Sequence, residues 1–200
     1  MSENVKTFRS GMTVAAAHAL AELSEEAAAH VSDDQTPREH IDRLLEDELF
    51  ADVVALLAHV LPRREAVWWA WSCARDVTDS PDPQTVAALE STSKWIVDQT
   101  DEQRRAAGDA AESLDYDSPA AMAALAAFMC GDTLGPVDAP PAPPPATGAA
   151  QAISGCICMA AAIGDPEGTD DRFRKFIERG MERADKGRIW ESASPADAGA

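Results

Sequence analysis

Three tryptophans stand within four positions in the run Leu61-Pro62-Arg63-Arg64-Glu65-Ala66-Val67-Trp68-Trp69-Ala70-Trp71, directly behind an Arg-Arg-Glu triplet. The whole chain of 200 residues has five tryptophans and only 6% aromatic residues, so this cluster is concentrated. Indole rings carry a large apolar surface and must be covered wherever they fold. On a helix Trp68 and Trp71 share a face, while Trp69 points about 100° away, toward the side of Cys73 and Val77. A helix that bears large rings on two fronts needs neighbours on both, which places it at the centre of its fold. Much of the 46% hydrophobic content is alanine. Alanine favours helices and lets them approach closely but buries little area, so the few large side chains carry most of the packing.

The remainder of the chain reads as helices separated by breakers. Thr13 caps a helix over about 14–22, and Ser24 with Glu25 and Glu26 starts another to about Val31. Asp33-Asp34-Gln35 is a loop. Thr36-Pro37-Arg38-Glu39 has the pattern of a capping box with proline at the first helical position. Ile41, Leu44, Leu45 and Leu49 then repeat at helical spacing. Phe50 to Val60 is an apolar helix ending at Leu61-Pro62, and Pro62 opens the tryptophan helix, which runs to about Val77. After the breaker Asp79-Ser80-Pro81-Asp82-Pro83, helices are expected from Pro83 through Val97 and from Asp101 to Leu114. An alanine-rich helix starts at Asp117-Ser118-Pro119 and ends near Cys130-Gly131. Residues 148–163 and 169–186 complete the set, the last with Phe173, Phe176, Ile177, Gly180 and Met181 as its buried stripe. No segment alternates as a strand does.

The expected fold is therefore all-α: an orthogonal multi-helix bundle of about eight to ten helices, with a Pro-rich connector before the last two. The expected organisation is a flexible leader over 1–11, a main helical domain over 12–130, the connector over 131–147, a C-terminal helix pair over 148–190 packed on the main domain, and a disordered tail over 191–200. The connector holds Pro140-Pro141-Ala142-Pro143-Pro144-Pro145, a polyproline-type stretch that reads as a semi-rigid spacer or as a ligand for a polyproline-binding partner.

Thirty-five acidic residues against 17 basic ones give a formal charge of −18. Such a surface repels a phosphate backbone, which argues against nucleic-acid binding and favours a partner with a basic surface. No apolar run reaches the roughly 18 residues of a membrane span, and Met1-Ser2-Glu3-Asn4 lacks a signal-peptide pattern, so no membrane insertion and a cytoplasmic location are expected. Cys73, Cys130, Cys156 and Cys158 sit in apolar helical stretches, where reduced thiols are usually inert core. No nucleophile elbow or Cys–His–acid signature accompanies them. Cys156 and Cys158 would point about 200° apart on a helix, and His18, His30, His40 and His59 include no i, i+4 pair, so no metal site is expected. Acidic runs such as Glu46-Asp47-Glu48 read as solvated faces, and the scattered glycines form no phosphate cradle. No cofactor and no catalytic residue are assigned, and the chain is expected not to be an enzyme.

The tryptophan helix leaves two readings open. One is a buried scaffold helix with its charges satisfied. The other is a partly exposed protein-docking surface made by Arg63, Arg64, Glu65, Trp68, Trp71 and Arg75, since Trp and Arg dominate binding hot spots. Either Arg64 or Arg75, four residues from a tryptophan, can stack on an indole face. The last helix, with Arg188 just beyond it, carries seven of the 17 basic residues interleaved with acids, which reads as a solvated helix that pairs internally.

The pattern Leu61-Pro62-x-Arg64-Glu65-Ala66-Val67-Trp68-Trp69-Ala70 resembles a family of small, uncharacterised all-helical bacterial proteins. The Ser118-Pro119-Ala120-Ala121 helix start, the Pro-rich connector and the Arg172-Phe173-x-x-Phe176-Ile177-x-x-Gly180 stretch are similar to it as well, over about residues 20–190. That family is associated with type VI secretion gene clusters, so the resemblance implies an accessory role in contractile secretion and transfers no catalytic residue. The expected function is a non-catalytic, cytoplasmic, protein-binding adaptor or chaperone whose partner is a secretion component or cargo. The alternatives are an acidic immunity protein that blocks a toxin's basic site, and an enzyme of unknown type using Cys73 or a histidine.

Overall fold

The computed structural model describes residues 7–8, 10–32, 35–79, 81–136 and 138–190. Asp33, Asp34, Ser80, part of the expected leader and the whole expected tail over 191–200 lie outside the described residues. Among the described residues the fold is all-helical, with ten α-helices; the one β-type pairing is an isolated bridge between Thr7 and Thr13. By internal contacts the chain divides into two compact units, Met1–Pro62 with Ile177–Ala200, and Arg63–Phe176.

The first unit holds α1 (Val14–Ala21), α2 (Glu25–Ala28), α3 (Pro37–Glu46) and α4 (Phe50–Val60). The caps explain where these helices begin. The Thr13, Ser24 and Thr36 side chains each accept from a backbone N–H three residues on, and Glu39 reaches back to the Thr36 N–H at 2.7 Å. That N–H, and then the Thr36 hydroxyl, hold the Glu39 carboxyl below its ordinary pKa. Packing of α1 and α3 on α4 buries Val14, Ile41, Leu44, Val53, Val54, Leu56 and Leu57. Ser24 is tied to the first turn of α4 by its N–H (2.7 Å) and hydroxyl (3.0 Å), both donating to Asp52.

Within the stretch expected as a leader, Phe8 is 1% exposed and belongs to this core. Its ring lies 6.2 Å from that of Trp190, and the Arg38 guanidinium stands over the Trp190 ring at 5.6 Å. Trp190 Nε1–H and Arg38 both donate to Asp185, so aromatic and ionic contacts join the two far ends of the chain in one cluster.

His40 is fully buried between these helices. The Gln35 amide donates to its Nδ1 (2.7 Å), which places the ring proton on Nε2. Burial lowers the His40 pKa to about 4, helped by the charge His18 would carry and, more weakly, by that of His30. The ring is therefore neutral at pH 7 and is protonated more readily in the unfolded chain, near 6.5. Between these values the unfolded state binds more protons, so stability falls as pH drops from about 6.5 toward 4. We predict that urea unfolding of His40→Gln will lack about 2 kcal/mol of the stability loss that the parent shows between pH 7 and pH 5. Identical pH dependence in the two proteins would contradict the assignment.

The second unit holds α5 (Arg63–Asp76), α6 (Pro83–Val97), α7 (Asp101–Ser113), α8 (Pro119–Phe128) and α9 (Gly148–Ala162). Asp82, Thr100 and Ser118 cap three of these, with Pro83 and Pro119 in the first turn. A short 3₁₀ turn, Pro166–Gly168, leads into α10 (Thr169–Lys186), whose residues through Phe176 belong to this unit and whose later residues belong to the other. Alanine dictates the geometry here. α8 packs against α5, α6, α7 and α9, and Ala120, Ala121, Ala123, Ala124, Ala126 and Ala127 are all buried on it. A helix with so little side-chain bulk lets four neighbours approach closely. The Pro-rich segment 131–147 lies inside this unit and does not part it from a separate helix pair, because α9 packs directly on α8 and α5.

Candidate functional site

The six residues singled out on the tryptophan helix all lie on α5, and four of them form one stripe. Arg64, Trp68, Trp71 and Arg75 follow one another at intervals of four, three and four, the spacing of a single helical face. Trp68 and Trp71 are half-buried, and Arg63, Arg64 and Arg75 are exposed. Glu65, half-buried, flanks the stripe.

The stripe is anchored on α6. Arg64 Nε–H donates to the Ile96 carbonyl at 2.7 Å, and Trp71 Nε1–H donates to the Leu89 carbonyl at 2.9 Å. As the position on α5 advances from 64 to 71, its partner on α6 recedes from 96 to 89, so the two helices run antiparallel along this seam. Ile96 lies in the last turn of α6, where carbonyls have no helical N–H and a cation is favoured by the helix dipole. Arg64 thus serves as a C-terminal cap for its neighbour. Of the two stackings open to the sequence, Arg75 over Trp71 is formed, with the guanidinium carbon 4.7 Å from the ring centroid.

Trp69 has the opposite fate. It is fully buried, and its Nε1–H donates to the Phe176 carbonyl of α10 at 2.7 Å. Ala66, Val67, Ala70, Cys73 and Ala74 share the burial. The buried side of α5 meets α8 and α9, where the Cys156 thiol donates to the carbonyls of Ala70 (3.4 Å) and Pro119 (3.2 Å). Trp69 is therefore scaffold, and the Arg64–Arg75 stripe is partly exposed and bonded to α6.

A second feature, which the sequence pattern did not single out, is a cleft of about 340 Å³ lined by Trp95, Gln99, Asp101, Arg104, Cys130, Gly131 and Asp132. Arg104 is only 3% exposed although it stands on a helix that is polar except for its alanines. Its guanidinium donates from Nε (2.8 Å) and Nη2 (2.6 Å) to Asp101 and from Nη1 (2.8 Å) to the Phe128 carbonyl, and it lies 5.0 Å from the Phe128 ring centroid. Asp101 also accepts from Arg105 Nε (2.7 Å), and these bonds, first from Arg105 and then from Arg104, hold its carboxyl below the ordinary range. A β-carbon at Gly131 would collide with the guanidinium, its Cζ standing 2.6 Å away, so glycine is required for the close approach. The readable signal was the spacing Asp101, Arg104, Arg105, an acid three and four residues before two arginines in a first turn.

The cleft holds a thiol but not a reactive one. Burial pushes the Cys130 thiol up to about 11, against the opposing charges of Arg63 and Arg104. Burial also raises Cys158, and lifts Cys156 well above the ordinary thiol range. A thiolate is the nucleophilic form, so all three are held in the unreactive state at neutral pH. Cys73, the fourth, is fully buried. Among the described residues no cluster of histidine, cysteine and acid side chains has the geometry to hold a metal ion, and no helix is long and apolar enough to cross a membrane.

The chain is a member of the DUF6931 family, a family of unknown function, whose model matches residues 40–184. No curated protein and no solved structure matches it.

Trp69 and Trp71 differ in what their loss should cost. Trp69→Phe leaves a cavity and removes a buried donor, and we expect it to destabilise by about 2–4 kcal/mol in urea unfolding. Trp71→Phe, at a half-exposed position, should cost about 1 kcal/mol. Equal losses would contradict the division of α5 into a buried and a displayed side.

Proposed function

We propose that this protein is a non-catalytic, protein-binding accessory factor, an adaptor or chaperone, of a bacterial type VI-like secretion system. Its partner is a secretion component or cargo, docked on the Arg64–Trp68–Trp71–Arg75 face of α5. The observation that carries the proposal is this face itself. It combines aromatic rings with guanidinium groups at both ends, the side chains that contribute most at protein interfaces. Its geometry is preset by the bonds to α6, so little conformational entropy is lost on docking. The link to secretion rests on the resemblance of the Leu61–Ala70 pattern.

The chain's charge of −18 supports the choice of a partner with a basic surface, which it would attract over long range while Arg63, Arg64 and Arg75 meet local acids. The raised thiols support a non-catalytic role.

Arg75 is the best probe, because it is exposed on this face, whereas Arg64 caps α6. Arg75→Glu should reduce recovery of the secretion partner from native lysate roughly tenfold, a change of about 1.4 kcal/mol, with the helical circular dichroism unchanged. Recovery of no secretion component by the parent protein, or equal recovery by both, would overturn the proposal.

A further inference from the structure

A Pro-rich segment that separates two bodies has a mechanical task. The segment over 131–147 has none of that kind, because the helices at its two ends, α8 and α9, pack directly against each other in the same compact unit. Packed helices are commonly joined by about 2–8 residues, and longer connections are usually functional or disordered. Here the connection runs from residue 129 to residue 147.

Its described residues are held in place. The Leu134 N–H donates to the Ala142 carbonyl (2.8 Å), and the Ala142 N–H donates to Thr133 Oγ1 (2.9 Å), so both backbone groups of Ala142 are engaged. Thr133 Oγ1 also accepts from the Gly135 N–H, and the Gly135 carbonyl accepts from Arg105 on α7 (2.9 Å). At the far end Pro145 Cδ lies 3.5 Å from where a β-carbon would stand on the buried Gly148, the first residue of α9. The arm is thus pinned at its base, at Ala142 and at its exit.

Sterics give its conformation. Proline fixes its own φ and drives the preceding residue into the extended region, and within 139–144 only Pro141 lacks a following proline. A polyproline helix has three residues per turn, so residues three apart share an edge. Ala142 and Pro145 are one such pair: Ala142 is bonded to Thr133 and Leu134 at the start of the arm, and the Pro145 carbonyl accepts from the Gly148 N–H. Pro140 and Pro143 are another, and both are exposed. No residue of 140–145 is buried. Exposed prolines at i and i+3 on a preformed extended helix are what aromatic-lined grooves recognise, with little entropy lost on binding.

We propose that residues 139–145 are a displayed polyproline ligand whose occupant is a second protein with an aromatic-lined groove and a basic rim. The exposed Asp132 and Asp138 beside the arm match that rim. This recognition element is separate from the α5 face and stands whether or not that face binds a partner.

The full-length protein is titrated calorimetrically with purified, basic-rimmed polyproline-binding domains of the SH3, WW and EVH1 classes. At least one class should bind. The double variant Pro140→Ala/Pro143→Ala should weaken that binding tenfold or more, while Pro141→Ala on the neighbouring edge changes it less than threefold. Arg75→Glu should leave it unchanged, which separates this proposal from the α5 interface. Absence of binding by every class, equal loss in both proline variants, or a fall of more than about 5 °C in the Tm of the double variant would overturn the proposal, the last by showing the arm to be a structural strut.

Discussion

The fold of residues 63–176 depends on one buried ring. Trp69 occupies the middle of α5, has no exposed surface, and donates its only polar hydrogen to the Phe176 carbonyl of α10. An indole buried without a partner would carry the cost of an unsatisfied donor, so this bond decides where the start of α10 can sit relative to α5. Around it the packing is thin in large side chains. α8 and α9 bring mostly alanine to the interface, so the helices approach closely, and Trp69 shares the core with few other large side chains, among them Ile153, Ile157 and Phe176.

That arrangement leaves α5 with two sides that differ in kind. On the buried side, Trp69, Cys73 and the alanines are committed to the core, and the nearby Cys156 thiol is engaged with main-chain carbonyls. On the other, Arg64 and Trp71 spend one hydrogen bond each on α6 and retain exposed surface. This half-exposed row of aromatic and guanidinium groups cannot rearrange without breaking its bonds to α6. The Arg104 cleft has the opposite character. Its guanidinium is consumed by Asp101 and the Phe128 carbonyl, and the thiol beside it is held protonated, so the polar groups there stabilise the turn after α8.

Helix positions were highly legible in the sequence because this chain caps its helices with side chains of fixed meaning. Thr36 with Glu39, Asp82 with Pro83, and Ser118 with Pro119 each mark a first turn, and the helices begin there. The two-sided character of α5 was legible as well, from the roughly 100° offset of Trp69. What stayed hidden depended on long-range partners. Arg104 reads as a surface residue from local pattern alone, and only the glycine at 131 and the Phe128 carbonyl make room for it. Phe8 is buried beside Trp190 from the far end of the chain, with no periodicity to announce it, whereas His40 falls on the buried α3 stripe with Ile41 and Leu44. The Pro-rich segment was legible as a stiff connector from composition, while the contacts that tie it at Ala142 and Gly135 depend on residues that composition does not report.

The central claim is that α5 is scaffold on its Trp69 side and displayed surface on its Trp71 side. Native-state hydrogen exchange of the indole N–H protons, followed by NMR, tests it most directly. The Trp69 Nε1 proton should exchange only with global unfolding of residues 63–176, as slowly as the backbone amides of Val67 to Cys73, while the Trp71 proton exchanges through local fluctuation. Equal rates for the two indoles, or a Trp69 proton that exchanges well before α5 itself opens, would contradict the account.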